Sequence, residues 1–179
     1  MALRNTDSTY SPVTKFLHWI LMIVVPIMLC VGAFMGDLPR EWKGTVYNLH
    51  KLTGLTVLCI MILFVLWALI NPKPKYPDSM AKWECFLACV TRYMLFAAVI
   101  IMPLSGWIMS TVANKLPHIG DLMLAMPGIP ADKDLGQVSN KVHEFFGWLI
   151  FGLLVLHLLG ALKHHFIDKN NILTRMVKF

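Results

Sequence analysis

The sequence predicts an all-α fold, a transmembrane four-helix bundle, and three observations lead to it. Of 179 residues, 57% are hydrophobic and only 15% charged, against about 25% charged in an average soluble domain. The mean hydropathy is +0.63. The apolar residues are also bunched. Four stretches, bounded by Lys15 and Asp37, Lys51 and Lys73, Arg92 and Lys115, and Glu144 and Lys163, contain no Asp, Glu, Lys or Arg. Each holds roughly 18–22 residues, and a helix rising 1.5 Å per residue needs about 20 to cross a hydrocarbon layer of ~30 Å. Backbone groups in lipid must pair within their own segment, so helices are the economical form. The reading is one membrane domain over 1–179, with helices at about 16–36, 48–70, 91–112 and 141–164.

The first helix carries Pro26 and His18 and is too long for the apolar core of a cleaved signal peptide. The second begins near His50, and the third contains Pro103; prolines are tolerated in such spans where neighbours cover the freed carbonyls. The fourth carries His143 and His157. Residues 71–82 (NPKPKYPDSMAK) read as a proline-spaced linker. Residues 113–140 form the longest connection, and its apolar piece from Leu122 to Met126 is expected to be a short interfacial helix or a lid.

Charge sets the direction. Arg4, Lys15, Lys73, Lys75, Lys82, Arg92, Lys163, Lys169, Arg175 and Lys178 fall on one side, and Arg40, Lys43, Lys51, Lys115, Lys133 and Lys141 on the other. The positive-inside rule then makes both termini cytoplasmic in a multi-pass membrane protein. The formal net charge of +6 is thereby a topology signal, and no nucleic-acid partner is expected. Cys30, Cys59, Cys85 and Cys89 lack the C-x-x-C-H run of covalent haem attachment and read as packing residues. The methionines read as filler for irregular gaps.

The histidines carry the functional argument, because polar side chains inside a span are costly. His18 and His157 lie toward the cytoplasmic side, and His50 and His143 toward the outer side. His143 and His157 are fourteen residues apart, so they fall within about 40° of each other and about 21 Å apart along one helix. One face thus offers an imidazole at two depths, each able to meet a partner from another helix. That suits two flat cofactors, each held between two histidines in a bundle core. Gly54 follows His50 by four residues and Gly147 follows His143 by four, leaving room for a porphyrin edge. Gly32 and Gly160 stand at the outer and inner depths in the same way. The plainer readings are hydrogen-bonded interfacial histidines and glycines that let helices pack closely. A structural zinc site wants four ligands together rather than two separated pairs, and a proton relay usually includes carboxylates, which the spans lack. His164, seven residues beyond His157, is a candidate donor to a quinone carbonyl or a haem propionate, with an interfacial histidine as the bland alternative. His165 points elsewhere, and His118 reads as an ordinary loop residue.

KFLHW around His18, NLHKLTG around His50, KVHEFFG around His143 and LHLLGALKHHFIDKNNIL from His157 resemble the bacterial cytochrome b561 family, over about Lys15 to Met176. The resemblance implies two non-covalent b-type haems, with irons held by His18 and His157 and by His50 and His143. A haem iron with two histidine ligands has no open position, so its work is electron transfer. Some family members look like superoxide oxidases that pass the electron to ubiquinone, so a superoxide:ubiquinone oxidoreductase is the leading expectation. Superoxide is the candidate donor at the periplasmic side, where Arg40, Lys43, Lys51 and Lys141 would pair with haem propionates first and steer an anion second. No catalytic side chain is singled out. Related cytochromes anchor hydrogenases and formate dehydrogenases, so the alternative is a membrane anchor and electron relay for a separate periplasmic or cytoplasmic redox partner, without a substrate of its own.

Overall fold

A computed structural model describes residues 4–178 of the chain. Helix α1 (Pro12–Phe34) runs into a 3-10 turn at Met35–Asp37, followed by α2 (Arg40–Ile70) and α3 (Lys82–Val112). A small hairpin of β1 (His118–Ile119) and β2 (Leu122–Met123) precedes α4 (Lys133–Phe166) and the short α5 (Thr174–Val177). All four long helices are long and apolar enough to cross a membrane.

Local chemistry sets the helix ends. Ser11 caps α1 through its hydroxyl, which accepts from the Thr14 amide at 3.2 Å, and Pro12 occupies the first position, where no amide is needed. Asp132 caps α4, accepting from the amides of Asp134 and Leu135 at 2.8 and 3.0 Å. Lys163, His164 and His165 fill the last turn of α4, where the helix dipole favours positive charge. The helices start earlier than the charge-free stretches predicted: at Arg40 rather than 48, Lys82 rather than 91, and Lys133 rather than 141. Charges mark the edge of the membrane, whereas caps mark the ends of helices. The 34 residues of α4 span about 51 Å at 1.5 Å each, so its polar first turns stand clear of a ~30 Å hydrocarbon layer.

Leu122 belongs to neither a helix nor a lid, which corrects the expectation for residues 122–126. It pairs with Ile119, and Met123 with His118, in an antiparallel hairpin. Gly120, at φ +56, supplies the left-handed backbone its tight turn requires. The hairpin is tied down by Asn48 of α2, which donates to the His118 carbonyl and accepts from its amide, both at 2.9 Å.

Helix α4 packs chiefly along α3, and α2 lies between α1 and α3; contact between α4 and α1 is sparse. The buried cluster joins Leu21 and Val25 of α1, Val57, Met61 and Phe64 of α2, Ala98 and Val99 of α3, and Ile150 of α4. Ile150 is wholly buried and lies seven residues from both His143 and His157, so this cluster fills the middle of the bundle between the two histidine depths. Phe16, Ile27, Leu66, Phe86, Trp148 and Leu159 face outward, as lipid-facing side chains do.

The candidate histidine sites

The structure brings the four histidines together in the two expected pairs. His18 of α1 faces His157 of α4 with ring centres 6.1 Å apart, and His50 of α2 faces His143 of α4 at 6.4 Å. Both pairs cross the side of the bundle where α4 meets α1 and α2, and where close backbone contact is sparse or lacking. A bond from a metal to an imidazole nitrogen is about 2 Å, and the ring centre lies about 1 Å beyond, so two rings on one iron stand about 6 Å apart. The observed spacings match.

The polar atoms agree with that reading. His143 Nδ1 lies 2.8 Å from the Met102 carbonyl, to which it donates when protonated, leaving Nε2 with its lone pair. Ser105 donates to the same carbonyl at 2.7 Å. His18 Nδ1 and His50 Nδ1 are buried without any hydrogen-bond partner, an arrangement rare in finished cores. The residues present therefore fit a group that takes up imidazole nitrogens, and the surroundings fit a flat apolar one. Beside the outer pair lies a cavity of about 40 Å³ lined by Val25, Met28, Gly54, Met102 and Ile150 with both histidines. A Cβ at Gly54 would come within 4.0 Å of the Met28 methyl, and one at Gly147 within 3.8 Å of the Met102 methyl. The space in front of both glycines is thus held by thioether ends, which swing aside more readily than branched side chains.

The other glycines divide. A Cβ at Gly32 would stand 3.3 Å from His50 Cε1, so Gly32 makes room for the imidazole itself, whereas Gly160 has nothing within 4 Å. Gly106 of α3 is the one that sequence reasoning passed over. A Cβ there would stand 2.9 Å from His143 Cε1 and 3.0 Å from Nδ1. Helix α3 carries no histidine, yet through Gly106 and the Met102 carbonyl it sets the position of one.

The end of the bundle at His18 and His157 is closed by segments distant in sequence. Trp19 Nε1 donates to the Met176 carbonyl at 3.0 Å and Lys15 Nζ to that of Lys178. Arg175 Nη1 donates to the Lys75 carbonyl, and Asn5 Nδ2 to that of Asn71 at 3.2 Å. His164 is 7% exposed. Its Nδ1 lies 2.7 Å from Asp168 Oδ2 and 3.3 Å from Asn170 Nδ2. Lys163 Nζ bonds Glu84 and Asp168 together, and holds the Asp168 carboxyl below the usual carboxylate range. Glu84, His164 and Asp168 lie close enough to share a cation, but the Lys163 ammonium already fills that role. His165 stacks edge-on against Phe166 at 4.8 Å, away from this cluster. At the end near His50 and His143, Arg40 and Lys141 are exposed, while Lys51 Nζ donates to the Lys115 carbonyl.

The family model described as prokaryotic cytochrome b561 matches residues 9–179. The chain is 29% identical over 180 residues to the Escherichia coli K12 protein named cytochrome b561 homolog 2, covering 99% of this chain and 95% of that one. It is 24% identical over 168 residues to the Yersinia pestis protein named probable superoxide oxidase CybB, covering 94% and 95% of the two. With cytochrome b561 homolog 1 of Escherichia coli K12 it shares 22% over 173 residues, covering 94% and 96%.

Proposed function

The chain belongs to the prokaryotic cytochrome b561 family, and on that premise we propose that it holds two b-type haems and moves electrons from a periplasmic donor to membrane ubiquinone. Family membership makes it a haem-binding membrane protein of electron transfer. The observation that carries the finer reading is the pair of ring spacings, 6.1 and 6.4 Å. His18 and His157 would hold the inner haem, and His50 and His143 the outer one. A bis-histidine haem supplies one-electron transfer and no open coordination position.

The protein's own residues then orient and insulate. The Met102 carbonyl fixes the tautomer of His143. The buried mid-bundle cluster keeps water from the space between the two depths. With both termini cytoplasmic, as the basic residues argue, the outer pair faces the periplasm, where Arg40, Lys43 and Lys141 raise the local concentration of an anion.

Superoxide is the donor we favour, because a relative covering nearly the whole chain is named a probable superoxide oxidase. The balance is two superoxide ions giving two electrons and two molecules of oxygen, and one ubiquinone taking two electrons and two protons to become the quinol. His164 is the candidate to meet the quinone. Asp168 and Asn170 occupy its Nδ1, so Nε2 is the nitrogen left to bond a quinone carbonyl. The deciding experiment supplies purified protein with a superoxide source and ubiquinone and follows haem reduction and quinol. Haem reduction with quinol formation supports the reading. Haems that stay oxidised under superoxide but reduce with dithionite overturn it in favour of an electron-relay subunit.

A further inference from the structure

Among the described residues, five buried side-chain polar atoms have no hydrogen-bond partner: His18 Nδ1, His50 Nδ1, Asn71 Oδ1, Arg92 Nε and Arg175 Nε. Two belong to the histidine pairs. The two arginine atoms need another account, because buried polar groups are ordinarily paired and an arginine at membrane depth usually marks a partner. Neither arginine forms a salt bridge among the described residues.

Arg92 stands at the level of the inner pair. The bond between Lys163 of α4 and Glu84 of α3 sets the register of these antiparallel helices. From Glu84, Arg92 is eight residues toward the outer face, about 12 Å, and from Lys163, His157 is six residues the same way, about 9 Å. The two differ by less than a helical turn. Arg175 reaches this region from the C-terminal segment. Its neighbour Met176 accepts from Trp19, and the Trp19 ring lies edge-on against His18 at 5.5 Å. The half-buried hydroxyl of Tyr10 bonds Arg92 and also feels the charge of Arg175, so both arginines lie near the start of α1.

Neither guanidinium is fully used. Arg92 Nη2 donates to Tyr93 Oη at 3.2 Å, the guanidinium lies 4.9 Å over the Tyr93 ring and it also bonds the Tyr10 hydroxyl, while Arg175 Nη1 donates to the Lys75 carbonyl. The Nε of each is idle. An arginine fork matches a carboxylate with two parallel hydrogen bonds, and no Asp or Glu lies between Arg92 and Asp121 or between Glu144 and Asp168. Asp7 near Arg175 is taken by Lys75, and Glu84 and Asp168 by Lys163, so among the described residues no carboxylate is paired with either guanidinium and both forks are open to one from outside the chain. We propose that Arg92 and Arg175 are positioning residues that clamp the propionate carboxylates of the inner haem and, with His18 and His157, complete its site. This rests on the two-haem reading.

The experiment uses the full-length protein and compares Arg92→Gln, Arg92→Lys and Arg175→Gln with the original. The haem lost in His18→Ala identifies the inner signal, and that lost in His50→Ala the outer one. In both glutamine variants the inner haem should titrate at a more negative potential, because the carboxylate loses its counter-charge. Its retention should fall roughly tenfold, the scale of a charge-assisted hydrogen bond, with the outer haem unmoved and Arg92→Lys restoring most of the potential. Reconstitution with protohaem dimethyl ester, which has no carboxylate, should bind the original inner site more weakly than protohaem. The same comparison in the double variant Arg92→Gln/Arg175→Gln should show no difference. Ester discrimination that persists undiminished in the double variant, or a shift confined to the outer haem, overturns the clamp. A potential difference that vanishes on delipidation assigns the arginines to a lipid phosphate and also overturns it. Full haem content in both His18→Ala and His50→Ala overturns the two-haem reading itself.

Discussion

Gly106→Ala adds a single methyl group and tests the outer site through a residue that is no ligand. The new Cβ would stand 2.9 Å from His143 Cε1 and 3.0 Å from Nδ1, whereas carbon atoms rest at about 3.5 Å or more. The ring must therefore retreat by roughly half an ångström. It cannot do so freely, because Nδ1 is held by the Met102 carbonyl at 2.8 Å and the ring faces His50 at 6.4 Å. Overpacking of this kind costs about 1–3 kcal/mol, which translates to roughly 5- to 150-fold in affinity for the outer haem. Haem per chain, measured alongside a two-step potentiometric titration, reads the effect. The outer haem should be depleted or shifted while the inner one keeps its potential. Gly152→Ala is the control, since nothing lies within 4 Å of its added Cβ. A Gly106→Ala chain with full haem content and unaltered potentials would refute the reasoning, as would loss of the inner haem alone.

Three further outcomes are expected. His50→Ala and His143→Ala should remove one and the same haem, and His18→Ala and His157→Ala the other; a spectrum in which His50→Ala and His157→Ala delete the same signal breaks the pairing. His164→Ala should keep both haems and slow quinone-coupled turnover, since a lost hydrogen bond with a buried partner costs on the order of 1–3 kcal/mol; His165→Ala should change little, and normal quinone reduction in His164→Ala removes that residue from the quinone site. Lys163, with His164 adding to it, holds Asp168 below the usual carboxylate range, so its contribution to stability is complete above the unfolded value of about 3.9. That contribution is lost as pH falls through the lower folded value, so thermal unfolding should be insensitive to this group between pH 5 and 8, and Asp168→Asn should flatten the acid limb alone.

What could be read in advance followed from period and depth. Fourteen residues between His143 and His157 bring two imidazoles to one face whatever the neighbours are, and charge-free stretches locate four spans without reference to packing. The unread parts depend on which face of one helix meets another. Nothing in the α3 sequence ties Gly106 or the Met102 carbonyl to a histidine on α4; only the contact between the helices does. The hairpin at 118–123 has a local signal in Gly120 and Asp121, hairpin-turn residues that stand between His118–Ile119 and Leu122–Met123. Arg92 reads from sequence as a topology charge, and its idle Nε shows only once the C-terminal segment is folded back beside it.

The bond from Trp19 to Met176 joins residues 157 positions apart, and it has a consequence for biogenesis. During synthesis α1 enters the membrane long before residue 176 leaves the ribosome, so the half at His18 and His157 is unclosed while the half at His50 and His143 already has α2 and then the start of α4. Contacts of such long sequence separation form late. The outer haem should be inserted first and the inner haem last, after the final turns of the chain have returned to α1. A ribosome-stalled chain carrying all four long helices but lacking residues 174–178 would then bind one haem firmly and exchange the other, making the tail a timer for cofactor loading.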